Sequence, residues 1–266
     1  MMLELIAKTG LFFSQPIVLA CVVLVGFLNR NEAIFGRTLF LLLFTMVYNV
    51  FLKSIWQVPL PPPLEGWAFP SGHMHSAVVF WGALAIEFRR FEFSALVVFT
   101  LCLTGYGLIY HGYHYPIDIL GAVGFGSFSL FLYNIFKQQP YFKEKPYRLG
   151  TQLSFLAIVC MQFMPPESLQ KWHIWQALGA LIGFTIGWAL LSQQQNKQTL
   201  TIEGKQRLFV TSVALLGSLA FFYLLKILPI TKNPMIFCQF LLIAIWVSSS
   251  KLITHQILRK TGATYG

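Results

Sequence analysis

Charge is what this chain has least of. Asp, Glu, Lys and Arg make up 11% of its 266 residues, only nine of them acidic, where a soluble domain carries about a quarter. That excludes an ordinary water-facing surface. With 56% apolar and 16% aromatic residues, what is left is an integral membrane protein made of helices. Cysteine is scarce too: Cys21, Cys102, Cys160 and Cys238 lie far apart in apolar runs, with no Cys-x-x-Cys or Cys/His spacing, so zinc and dithiol motifs are excluded. They read as small buried hydrophobes. No internal repeat recurs at a fixed period.

What is there is a series of apolar runs near the length of about 20 residues that a span needs. Nine are expected, near 11–28, 36–56, 72–88, 93–110, 116–136, 149–164, 172–192, 208–228 and 235–253. The net charge of +10 does not point to nucleic acid here, because the placement of the basic residues carries the information. With alternate loops on opposite sides, one side receives Arg30, Arg37, Arg89, Arg90, Lys137, Lys143, Lys145, Arg148, Lys197, Lys205, Arg207, Lys251, Arg259 and Lys260. The other receives Lys8, Lys53, Lys171, Lys226 and Lys232. The richer side is expected to be cytoplasmic. The N-terminus and the loops at His73 and His114 then face outward and the C-terminus inward, and the short loops suit a bacterial inner membrane. Glu4 and the lack of a small-x-small site make the first segment a retained span rather than a cleaved signal.

Between the second and third segments, Val58 to Trp67 holds Pro59, Pro61, Pro62 and Pro63, which cannot continue a helix; a stiff, extended outward loop is expected, with Trp56 and Trp67 at headgroup level. Gly121, Gly124 and Gly126 on the fifth segment predict close helix packing. Residues 138–148 carry two prolines and four charges and read as a cytoplasmic linker between a five-span unit, 1–137, and a four-span unit, 149–266. In the latter, the loop from Pro165 to His173 reads as an interfacial turn anchored by Trp172, and Gln193 to Asn196 as a solvated linker.

Two polar clusters sit at the mouths of apolar helices. Pro70-Ser71-Gly72-His73 opens the third segment. There the free N–H groups and the dipole of a helix N-terminus favour an anion, glycine lets a phosphate approach, Ser71 adds a hydroxyl, and His73 adds a proton source near neutral pH. His114 and Asp118, four residues apart, share a helical face. A carboxylate that fixes one ring nitrogen leaves the other free as nucleophile and stabilises the cation formed on phosphorylation. His75, His111 and His173 read first as interfacial polar residues.

The pattern resembles the type 2 phosphatidic acid phosphatase (PAP2) superfamily. Its signature is Lys, six residues, Arg-Pro; then Pro-Ser-Gly-His; then Ser-Arg, five residues, His, three residues, Asp. Lys53 fits the first motif, Pro70 to His73 match the second, and His114 and Asp118 match the third. The arginines are replaced by Leu60 and Leu108, and the serine by Gly107. The resemblance covers about residues 36 to 136. It implies an all-α, polytopic membrane helix bundle with a PAP2-like core, here followed by a C-terminal four-helix membrane extension. It also implies metal-independent, cofactor-free chemistry on a membrane lipid phosphate: His114 attacks phosphorus, Asp118 orients it, His73 protonates the leaving oxygen, and Lys53, Ser71 and Gly72 hold the phosphoryl oxygens. The candidates to replace the arginines are His75, His111 or a residue of the C-terminal half. Three accounts stay open: a lipid phosphatase, a lipid phosphotransferase of the sphingomyelin synthase kind whose diester carries less charge, and a binding protein that keeps the fold. A transporter fits less well, since transporters gather polar residues at the midplane.

Overall fold

The computed structural model describes residues 1–195, 205–226 and 233–260; Asn196, Lys197 and Lys232, placed in the sequence reading, lie outside them. The helices are α1 Met2–Phe12, α2 Pro16–Asn29, α3 Glu32–Trp56, α4 Gly72–Phe88, α5 Phe91–Tyr110, α6 Pro116–Phe136, α7 Pro140–Glu144, α8 Tyr147–Gln162, α9 Pro166–Leu169, α10 Trp172–Gln195, α11 Lys205–Lys226 and α12 Asn233–Lys260. All nine expected segments are helical. Five helices, α3, α5, α6, α10 and α12, are long and apolar enough to cross a membrane, and α1 with α2 makes a sixth span if the bent pair is read as one. α4 and α8 are apolar but 17 and 16 residues long. The protein is an integral, multi-pass, all-α bundle.

Three expectations need correction. The first span does not begin at residue 11: the chain is helical from Met2, and α2 restarts at Pro16, bent 48° from α1, because proline lacks the N–H an unbroken helix would use there. The proline-rich loop is not extended. Pro59 and Trp67 pair across it, Ala68 N–H donates to Val58 O at 2.7 Å and Leu60 N–H to Gly66 O at 3.0 Å, so it folds back on itself. Finally, Gln193 to Gln195 belong to α10 rather than to a linker.

α3 and α10 are the central helices, with 61% of their apolar windows buried against 22% for α6. α6 turns Leu120, Phe128 and Phe131 outward, a face suited to lipid rather than water. Phe40 and Trp188 stack at 5.5 Å where α3 meets α10, beside Phe27 and Phe184. The C-terminal region thus packs directly onto α3. On α10, Gly179, Gly183 and Gly187 form a stripe four residues apart. A Cβ on any of them would overlap α12 main chain at Phe237, Leu241 or Ile245, so their absence of side chains lets the two backbones touch. Of the glycines foreseen on α6, Gly121 meets the Phe69 ring and Gly126 meets Val78, while nothing approaches Gly124.

At one end of the bundle Glu87 of α4 accepts from Arg37 of α3 at 3.0 Å and from Tyr133 of α6, with Lys137 3.5 Å away; Lys251 of α12 pairs with Glu32 of α3. Those ties hold the bundle at the end opposite His73 and His114.

Candidate active site

The site forms where α3 and α5 end and α4 and α6 begin. Lys53 stands in the last turn of α3 and donates to the Trp67 carbonyl at 2.5 Å, pinning the returning loop. One turn deeper, Asn49, 4% exposed, donates to Pro70 O at 3.1 Å and faces His75 Nδ1 at 3.2 Å. Asn49 therefore fixes the Pro70-Ser71-Gly72 turn from below. His75 is fully buried against Tyr48, not snorkelling at the surface.

Ser71 is the N-cap of α4 and leaves its side chain uninvolved in the cap. Its backbone N–H donates to Asp118 O at 3.1 Å, which ties the start of α4 to the start of α6, and its buried Oγ has no partner among the described residues. A buried unpaired hydroxyl is uncommon and calls for an explanation; a bound phosphoryl oxygen would supply it. His73 is exposed, in the first turn beside it.

α5 stops at His111 because Gly112 takes φ +67, a left-handed conformation that glycine adopts without strain; Tyr113 N–H then reaches back to Leu108 O at 3.0 Å. The His111 ring stacks on Tyr113, with Nε2 unpaired. The turn delivers His114, 8% exposed, with Nδ1 3.2 Å from Asp118 Oδ2. That same oxygen accepts the Tyr115 N–H at 2.9 Å, while Oδ1 is buried and unpaired. With Nδ1–H directed at the carboxylate, Nε2 is the basic, free nitrogen. Burial first, and the Lys53 cation second, hold His114 well below its ordinary value, at about 4, against the pull of Asp118. It is therefore uncharged at neutral pH, with Nε2 free.

Leu108, in the position of the motif arginine, is 1% exposed within a small apolar cluster with Met74, Val78, Ile119 and Ala122. Leu60 lies in the folded-back loop beside Gly66. Cationic character comes instead from Lys53 and, across the bundle, from Lys171, within electrostatic reach of Lys53; burial pushes the Lys171 ammonium below its usual value. Among the described residues no group of three or more His, Cys, Asp or Glu is placed to hold a metal ion.

A cavity of about 550 Å³ leads away from the site. Gly72, His73, Asn49 and His173 are at its polar end, and α2, α3, α10 and α12 supply apolar walls. The sequence reading missed Asn49, which no motif marks, and set the Trp172 anchor first and a possible polar contact second in the loop that ends at His173.

No curated protein and no solved structure matches the chain. Residues 34–142 match the family model of the PAP2 superfamily, a stretch that includes Lys53, Ser71, Gly72, His73, His75, His111, His114 and Asp118. Over that stretch, from within α3 to within α7, the chain is similar to the PAP2 superfamily.

Proposed function

We propose that this protein is a membrane lipid phosphatase that hydrolyses a phosphomonoester or diphosphate at the extracytoplasmic face through a phospho-histidine at His114. The observation that carries the reading is the buried His114–Asp118 pair, with one carboxylate oxygen committed to Nδ1 and to the Tyr115 N–H. The His114 Nε2 lone pair forms the N–P bond as the bond to the lipid oxygen breaks. His73 gives that oxygen its proton, and Asp118 balances the charge on the ring. Water then gives a proton back to His73 and attacks phosphorus, the N–P bond breaks with its electron pair returning to Nε2, inorganic phosphate leaves and His114 returns to neutral. Lys53, Ser71 Oγ and the N-terminal amides of α4 receive the phosphoryl oxygens, an arrangement that acts through charge stabilisation at a helix N-terminus.

A second reading, phosphotransfer between lipids, is supported by the apolar burial of Leu108. A diester carries about one negative charge against nearly two on a monoester, so it needs fewer cations. The test is phosphate release and headgroup transfer by the purified full-length chain. The lipid panel holds phosphatidate, a polyprenyl diphosphate, phosphatidylglycerophosphate and a diester with diacylglycerol acceptor, with His114→Ala in parallel. Free phosphate lost in His114→Ala supports the phosphatase, and transfer without free phosphate supports the second reading. Turnover unchanged in His114→Ala overturns both.

A further inference from the structure

Of the residues the chemistry above uses, Gly72 and His73 also line the 550 Å³ cavity. Its volume falls within the range of ligand pockets, about 300–1,000 Å³, and its lining includes no Asp, Glu, Lys or Arg. One wall is α3 from Leu39 to Val50, a rise of about 16 Å. That is close to half of the roughly 30 Å hydrocarbon thickness, the depth of a single leaflet. The facing wall belongs to the C-terminal region. His173, Gln176, Ala177 and Ala180 line the space from α10 at a spacing that makes one helical face, polar near the mouth and small and apolar further in. The glycine stripe of α10 holds that helix against α12, which adds Phe240 to the lining.

We propose that this cavity holds one hydrocarbon chain of the lipid whose phosphate is bound at His73 and His114, so that α10 and α12 select the substrate by the shape of its chain. The assignment rests on the lipid-phosphate reading of the site. Continuity supports it: Gly72 and His73 belong both to the anion-binding turn and to the cavity lining. A chain moving from bilayer to cavity exchanges one apolar surrounding for another, so there is little hydrophobic gain. Discrimination then comes from packing, where an added side chain in a filled space is costly.

The experiment is photolabelling of the full-length chain in vesicles by phosphatidate bearing a diazirine on one acyl chain, read by peptide mass spectrometry, with turnover measured on the same preparation. Label is expected on Ala177 to Ala180 and on Leu42 to Met46. In Ala180→Phe, that label is expected to fall at least fivefold while label on the outward-facing Leu120 and Phe131 persists. Ala177→Leu replaces Ala180→Phe if the latter does not purify. A triacylglycerol with the same diazirine chain is expected to label the cavity at least fivefold less than phosphatidate. Label confined to outward-facing residues overturns the assignment, as does cavity label indifferent to filling, or equal label from triacylglycerol. Labelling needs no turnover: a labelled cavity in an inactive protein would remove the catalytic reading and keep the cavity, whereas turnover without cavity label would do the reverse.

Discussion

Replacing Asp118 by Asn removes one charge and leaves the shape. The structure sets how much this should cost. In other histidine–carboxylate enzymes such a change can lower kcat by about 10⁴, because the amide inverts the histidine tautomer. Here a single atom, Oδ2, accepts both from His114 Nδ1 and from the Tyr115 N–H, so an asparagine oxygen in that position keeps both bonds. Its NH₂ then occupies the place of Oδ1, which has no partner among the described residues. The tautomer survives, and what is lost is the charged member of a hydrogen bond and its support of the phospho-histidine cation. A hydrogen bond to a charged group contributes about 1.5–3 kcal/mol, equivalent to a fall in kcat of about 10- to 150-fold at 1.36 kcal/mol per tenfold. Phosphate release from a short-chain lipid phosphate in detergent, at saturating substrate, measures it. Asp118→Ala, which loses both bonds, the Tyr115 cap among them, is expected to fall further and to melt lower by about 1 kcal/mol of cap energy. A loss below threefold in Asp118→Asn would show that the carboxylate charge does not matter, and a loss above 10³ would show that the shared oxygen does not hold the tautomer.

The depressed proton affinity of His114 gives kcat/KM an acid limb that falls as pH drops through about 4, rather than through the usual 6.5 for histidine. Lys53→Met removes one cause of that depression, so the midpoint of the limb is expected to move up even though the overall rate drops; an unmoved midpoint in the pH profile refutes the coupling. Glu87→Ala leaves Arg37 and Lys137 without their common partner, at about 1–3 kcal/mol for a partly buried group left unsatisfied. Its melting temperature in detergent should fall while kcat at low temperature is unchanged, since the pair lies at the other end of the helices. Gly183→Val would press against the Leu241 main chain and cost about 1–3 kcal/mol by overpacking, read as a lower melting temperature.

Helix positions were legible from hydropathy because a bilayer enforces long apolar runs, and the catalytic motifs because a phosphate site needs ionisable residues where lipid disfavours them. The break before Pro16 was also written in the chain, in a proline taken for ordinary sequence within a span. Asn49 was not legible: an amide inside an apolar helix gains its meaning only when Pro70 folds over it. Nor was the placing of His73 and His173 on the lining of one cavity, a hundred residues apart in sequence and brought together only because α10 packs on α3. The stripe Gly179, Gly183, Gly187 was visible as a spacing, but its partner on α12 was not.

The bond from Ser71 N–H to the Asp118 carbonyl divides the site's labour. It runs from main chain to main chain, so the registry between α4, which carries His73, and the start of α6, where Asp118 holds His114, does not depend on any side chain. Residues that grip the phosphoryl group can then be exchanged one at a time without disturbing the alignment of attack and proton donation. If the proposed chemistry holds, a centre built this way would keep its reaction axis with leucine where arginine is expected at two positions, while its affinity for a particular charge changes.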